Sequence, residues 1–196
     1  METIQLIGEA VLLRPMTKED AEGIYACCQD ERIWKHMSQT LQTREDVDAY
    51  IEQALAHQET GTEYPFVIVL RATNEIVGST RFFDIATAHK RLEIGHTWLH
   101  PSVWRTKVNT ECKYLLLSYC FEQLHFQRVQ IKTGHENIQS QKAIERIGAT
   151  KEGTLRNHMI RPNGKVRHTV MYSVVQEEWS DVKQHIEGLM RKFSTL

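Results

Sequence analysis

The chain has 196 residues, 24 Lys and Arg against 25 Asp and Glu, and 41% hydrophobic residues. At roughly 100–200 residues per domain, that length fits a single domain over 1–196 with a real core. A net charge of −1 excludes a bulk electrostatic pull toward nucleic acid or anionic membrane, and no run approaches the ~20 apolar residues of a membrane span.

Met1-Glu2-Thr3-Ile4-Gln5 lacks the charged and apolar blocks of a signal peptide. The four cysteines, at 27, 28, 112 and 120, are spaced neither as a disulfide framework nor as a metal knuckle. A cytoplasmic protein with reduced thiols and no nucleic-acid or membrane partner is expected. Ile4–Arg14 reads as one strand, ended by Pro15. Thr17-Lys18-Glu19-Asp20 is a helix entrance, with a capping hydroxyl and acidic residues in the first turn. Ile24, Tyr25 and Cys28, then Ile33, Trp34 and Met37, suggest one or two short helices. A second start at Thr43 precedes Val47, Tyr50, Ile51, Ala54 and Leu55 at helical spacing, closed by Gly61. Tyr64–Leu70 and Glu75–Phe83 form a hairpin through Thr73-Asn74.

Leu92–His100 is a strand stopped by Pro101, and Thr110–His125 a broadly apolar, hence deeply buried, helix. Arg128–Thr133 alternates as a strand, and Asn137–Ile147 is a short helix ended by Gly148. Two further strands meet at Arg161-Pro162-Asn163-Gly164, where Asn-Gly supplies the positive φ of a tight turn. Gln176–Phe193 closes as a polar amphipathic helix. The order is βααα-βββ-αβ-αββ-α: an α/β (α+β) mixed sheet with helices on its faces.

A strand ending in Trp98-Leu99-His100-Pro101, a loop over 102–109 and a buried helix from Thr110 leave backbone amides unpaired at the helix start. With the positive end of the helix dipole, such amides suit phosphate or pyrophosphate. Arg105, Lys107 and Lys113 add cations nearby; a solvated basic loop is the plainer reading of the same residues.

Leu92-Glu93-Ile94-Gly95, Trp98-Leu99-His100-Pro101 and Trp104 to Glu111 together resemble the acetyl-coenzyme A motif of the GNAT N-acetyltransferases. The resemblance is closest to the RimJ/RimL branch, which acetylates N-terminal amines of ribosomal proteins. Glu136-Asn137-Ile138-Gln139-Ser140 resembles that branch's E-N-x-x-S helix start. Ile147 to Arg156 resembles its G-F/A-x-x-E-G-x-L-R strand, and Tyr172-Ser173-Val174 with Glu177-Glu178-Trp179 its ending.

The resemblance implies a GNAT fold whose fourth and fifth strands splay apart, and binding of acetyl-CoA by Trp98, Leu99, His100, Arg105, Thr106, Lys107, Val108, Asn109, Thr110, Asn137 and Ser140. Backbone donors near Trp98–His100 would face the thioester oxygen. Ser140 would give a proton to the leaving thiolate, beside Asn137. Asn137 reads equally as an ordinary helix cap.

A base must take the amine's proton. Glu93 and His96 both lie on the strand, on opposite faces by alternation; Glu93 matches the motif and is the expected base. No metal site is expected, since His96 and His100 stand ~13 Å apart along a strand. Cys27-Cys28, Cys112 and Cys120 read as packing. Tyr25, Trp34 and Met37 can line an acceptor pocket or simply pack. Arg161, Arg167 and His168 can hold an acidic acceptor or lie in a solvated hairpin.

Lys107 and Asn109 stand where the family's loop has small residues. Two readings therefore stay open: an acetyltransferase acting on a peptide N-terminus or small amine, and a non-catalytic coenzyme-binding or interaction protein. Apolar positions on the last helix and strands leave room for a homodimer.

Overall fold

A computed structural model describes residues 4–161 and 163–193. Eight strands form one sheet in the order β1-β2-β3-β4-β5-β6-β8-β7. They are β1 (Leu6–Ile7), β2 (Val11–Pro15), β3 (Glu63–Leu70), β4 (Ile76–Ala86), β5 (Arg91–Leu99), β6 (Arg128–Gly134), β7 (Thr150–Ile160) and β8 (Val166–Val175). Every neighbouring pair is antiparallel except β5 and β6.

Helices cover both faces. On one, α1 (Ala21–Cys27) and α2 (Arg44–Glu59) bury Ile24, Val47, Tyr50 and Ile51 against Val67, Val69 and Trp98. On the other, α3 (Val108–Ser118) and α5 (Trp179–Phe193) bury Leu116, Trp179 and Ile186 against Phe66, Phe82 and Ile94. A shorter helix, α4 (Ile138–Arg146), starts beyond the end of β6. Gly148 closes it with φ +90°, as expected of a glycine just past a helix end. All four cysteines are free and buried, and burial pushes the Cys27 and Cys112 thiols up to about 12.

The first strand is two. The run expected to be a single strand over Ile4–Arg14 folds into the β1–β2 hairpin, and its cause lies a hundred residues away. The buried Glu111 carboxylate accepts the amides of Glu9 (2.6 Å), Ala10 (2.8 Å) and Val11 (3.0 Å), turning the chain around itself. A Cβ at Gly8 would come 2.6 Å from Glu111 Cδ, so the approach needs glycine there.

Two other boundaries move. α3 begins at Val108 rather than Thr110, because the Thr106 hydroxyl accepts the Val108 amide (3.3 Å) and the Lys107 carbonyl accepts that of Glu111 (2.8 Å). Its far end widens into a looser turn over Tyr119–Gln123, closed by the Leu124 amide on the Tyr119 carbonyl. At the β7–β8 turn only Gly164 (φ +76°) adopts positive φ, whereas Asn163 does not and instead accepts the Lys165 amide on its side chain; Pro162 lies outside the described residues.

The β5–β6 pair positions the site. These strands share register only from Arg91↔Arg128 to Glu93↔Gln130. Beyond that point β6 follows β8 to Gly134↔Thr169, while β5 follows β4 to Gly78↔Leu99. The expected splay between the fourth and fifth strands of the sequence reading is therefore present, as β5 and β6. A bulge adds to it: Arg81 faces Gly95 and Ser79 faces Trp98, so His96 and Thr97 together oppose Thr80. His96 takes φ +49° at that bulge, which raises the local twist.

Because Glu111 satisfies three amides, Glu111→Ala is expected to lower the unfolding free energy by about 3 kcal/mol. Urea denaturation with an unchanged midpoint would contradict this anchoring role.

Candidate active site

The cleft opens where β5 and β6 part. The His100 amide goes to the Val77 carbonyl on β4 (2.8 Å). Amides alternate sides along a strand, so that of Leu99 points to the opposite, unpaired edge. The expected donors near Trp98–His100 thus reduce to Leu99. The side chain of Trp98 is core, 5.4 Å from the Trp34 ring, with its indole N–H on Tyr50 Oη (3.4 Å). His100 shapes the turn instead, through Ser102 (2.7 Å).

The loop before α3 takes an ordinary conformation at the two positions where the family has small residues. Neither Lys107 nor Asn109 needs a glycine-like backbone: Lys107 is right-handed (φ −68°) and Asn109 is already helical. Arg105 carries the positive φ (+62°) and is exposed. Thr106 spends its hydroxyl locally, donating to the Val103 carbonyl (2.7 Å), and the Val108 side chain is core. Trp104 ties the loop to the strand end through the Leu99 carbonyl (2.8 Å). Among the described residues no backbone carbonyl receives the amides of Asn109 and Thr110, which stand at the positive end of α3.

Two of the three cations expected there point elsewhere. Lys107 is paired with Glu9 (2.9 Å). Lys113 turns inward and is only 6% exposed, donating to Thr97 Oγ1 (2.9 Å) in the bulge; that hydroxyl also meets Thr80 Oγ1 (2.8 Å). Arg146, at the end of α4, reaches Thr110 Oγ1 instead (3.0 Å). Nothing local in the sequence marks Arg146, because α3 and α4 meet only through the fold.

Asn137 caps α4, accepting the Ser140 amide on its side-chain oxygen (3.1 Å). The Ser140 hydroxyl is half-buried and, among the described residues, has no hydrogen-bond partner. On the face toward α2, Glu93 is 1% exposed. Its Oε2 accepts from Lys132 (2.9 Å) and Gln130 (3.3 Å), while Oε1 is buried without a partner. Burial raises its pKa above the usual carboxylate value, with Lys132 opposing.

Strand alternation placed Glu93 and His96 on opposite faces; the bulge cancels that. The His96 ring lies 5.1 Å from Phe83, and Lys132, the partner of Glu93, lies 4.9 Å above the same ring. Burial and then Arg81 push His96 down to about 4, which leaves it a weak base at neutral pH. Arg81 is held by Glu63 (2.7 Å) and the Tyr50 ring (4.6 Å). Tyr25 lies under the Arg44 guanidinium (4.6 Å), and Trp34 belongs to the core and donates to the Cys28 carbonyl (2.8 Å).

Burial brings the Lys113 ammonium down to about 8 from 10.5. The unfolded chain therefore binds the extra proton between those values, and stability should rise with pH across that window. Lys113→Met is expected to abolish the rise in pH-dependent unfolding. The same slope in variant and parent would contradict a desolvated Lys113.

Residues 10–150 match the acetyltransferase (GNAT) domain family model. The chain is 30% identical over 173 residues to the uncharacterized N-acetyltransferase YoaA of Bacillus subtilis (strain 168), covering 86% of this chain and 94% of that one. Among solved structures, a GCN5-related N-acetyltransferase from Brucella melitensis superposes with a TM-score of 0.89 at 25% identity, over 97% of this chain and 86% of that one. The microcin C7 self-immunity acetyltransferase MccE, solved with acetyl-CoA and AMP, shares the fold with a TM-score of 0.77 at 23% identity, over 86% and 93%. With one mixed sheet opened between β5 and β6, this chain belongs to the GNAT family of N-acetyltransferases.

Proposed function

We propose that the protein moves an acetyl group from acetyl-CoA to a primary amine by direct attack within a ternary complex. One observation carries the reading: the parted edge of β5 holds both a free donor, the Leu99 amide, and, roughly 20 Å back along the strand, Glu93, whose buried Oε1 has no partner. Acetyl-CoA supplies an electrophilic thioester when bound.

The chain's own groups divide the work. The Asn109 and Thr110 amides, with the α3 dipole, suit the diphosphate, and Arg146 adds a positive charge beside them. The Leu99 amide faces the place where negative charge develops on the carbonyl oxygen, a contribution commonly worth ~3–4 kcal/mol of barrier. Glu93 Oε1 takes the proton of the acceptor ammonium through a chain of waters along the parted edge, since it lies roughly 20 Å from Leu99 at ~3.3 Å per residue. Its raised pKa moves it toward the neutral working range of a base. As the amine nitrogen bonds to the acyl carbon and the carbon–sulfur bond breaks, Ser140 Oγ–H donates to the departing sulfur.

The RimJ/RimL-type motifs support the α-amine of a peptide among the acceptors. The non-catalytic alternative drew on Lys107 and Asn109. With Lys107 held by Glu9 and Asn109 helical, both side chains leave the first-turn amides open.

Glu93→Gln is expected to lower kcat/KM about 100-fold, with acetyl-CoA affinity by calorimetry nearly unchanged. The acid limb of the pH–rate profile, set by a pKa above 4.5 in the parent, should vanish. Parental rates in the variant would remove Glu93 as the base. Ser140→Ala should lower turnover more than coenzyme affinity; equal turnover in thiol-release assays would contradict the leaving-group role.

A further inference from the structure

Two arginines of the β7–β8 hairpin close on the end of β6, beside the parted edge. A Cβ built on Gly134 would lie 3.1 Å from Arg167 Nε and 3.7 Å from Arg161 Nη2. Gly134 thus leaves the space into which both guanidinium groups fold. Their situations differ. Arg161 is paired with Glu136 (2.7 Å). Among the described residues Arg167 has no carboxylate partner, and its Nε is sealed from solvent without a hydrogen bond.

A buried donor left unbonded is unfavourable and calls for an acceptor. His36 Nδ1, on the turn after α1, is likewise buried and unbonded, in the field of Arg161 and Arg167. Glu93 lies within electrostatic reach of Arg167 as well.

An acceptor with an amine at one end and an oxyanion at the other would meet both needs: ammonium toward Glu93, anion on Arg167. We propose that Arg167, flanked by Arg161 and His36, binds an oxyanion carried by the acceptor, so that the substrates are amines bearing a carboxylate or phosphate. The planar guanidinium fork matches either group bidentately. This assignment rests on the acetyltransferase reading above and narrows its acceptor.

The test uses matched pairs in a thiol-release assay with acetyl-CoA: glutamate against its diamide, an Asp-initiated peptide against the Asn-initiated one, and phosphoethanolamine against ethanolamine. For at least one pair, the anionic member should show kcat/KM tenfold or more above its neutral partner, chiefly through KM. The pair that does so identifies the anion. In Arg167→Gln the preference should collapse toward one, and Arg167→Lys should retain part of it, with thermal melts confirming that both variants fold. Preferences within twofold for all pairs would overturn the proposal while leaving acetyl transfer intact. Should no amine turn over, calorimetric titration with glutarate and inorganic phosphate decides: binding lost in Arg167→Gln supports the oxyanion site, and no binding to the parent overturns it.

Discussion

Everything at this site depends on a strand pairing that stops early. β5 and β6 hold each other for three residues, Arg91 to Glu93 against Arg128 to Gln130. Each then follows its other neighbour, leaving an inner edge of the sheet unpaired. Backbone amides inside a folded protein are almost always bonded, so such an edge persists only where something else, water or a ligand, satisfies it. The bulge at His96 and Thr97 sharpens the divergence by twisting β5 where β6 leaves it.

Buried charge is arranged around that opening. On the face toward α2, Glu93 keeps one oxygen tied to Lys132 and one free. On the face toward α3, Lys113 is held by the Thr97 hydroxyl inside the bulge. Burial is the main reason why the first is harder to ionise than an ordinary carboxyl and the second easier to deprotonate than an ordinary lysine. The two groups flank one strand on opposite faces, and the base is assigned to the one with a free oxygen. His96, desolvated and close to Arg81, stays neutral and packs against Phe83.

Much of the fold was legible locally. Helical spacing in α2 and α3, the Thr43 cap, Gly148 and the Thr73-Asn74 hairpin are properties of short windows, and they recur where expected. The motifs around Glu93 and Asn137 pointed to the strand and helix that border the cleft. What escaped was set by contacts distant in sequence. The β1–β2 hairpin is dictated by Glu111, which anchors the amides of Glu9, Ala10 and Val11. Gly8 was the local trace of it, inside a run otherwise read as continuous strand. The bulge at His96 is invisible to an alternation rule that assumes no extra residue, which is why Glu93 and His96 were placed apart. The fates of Lys107, Lys113 and Arg146 depend on which elements face each other, and a single sequence does not carry that.

The central claim, that the parted edge of β5 and the first turn of α3 form one acetyl-CoA site, is tested most directly by backbone amide NMR of the intact chain titrated with acetyl-CoA. The predicted result is saturable shifts concentrated at Thr97–Leu99, Asn109–Thr110 and Ser140, with Glu9–Val11 little changed. Saturable binding that leaves Leu99, Asn109 and Thr110 unmoved, or no binding at millimolar coenzyme, would contradict it.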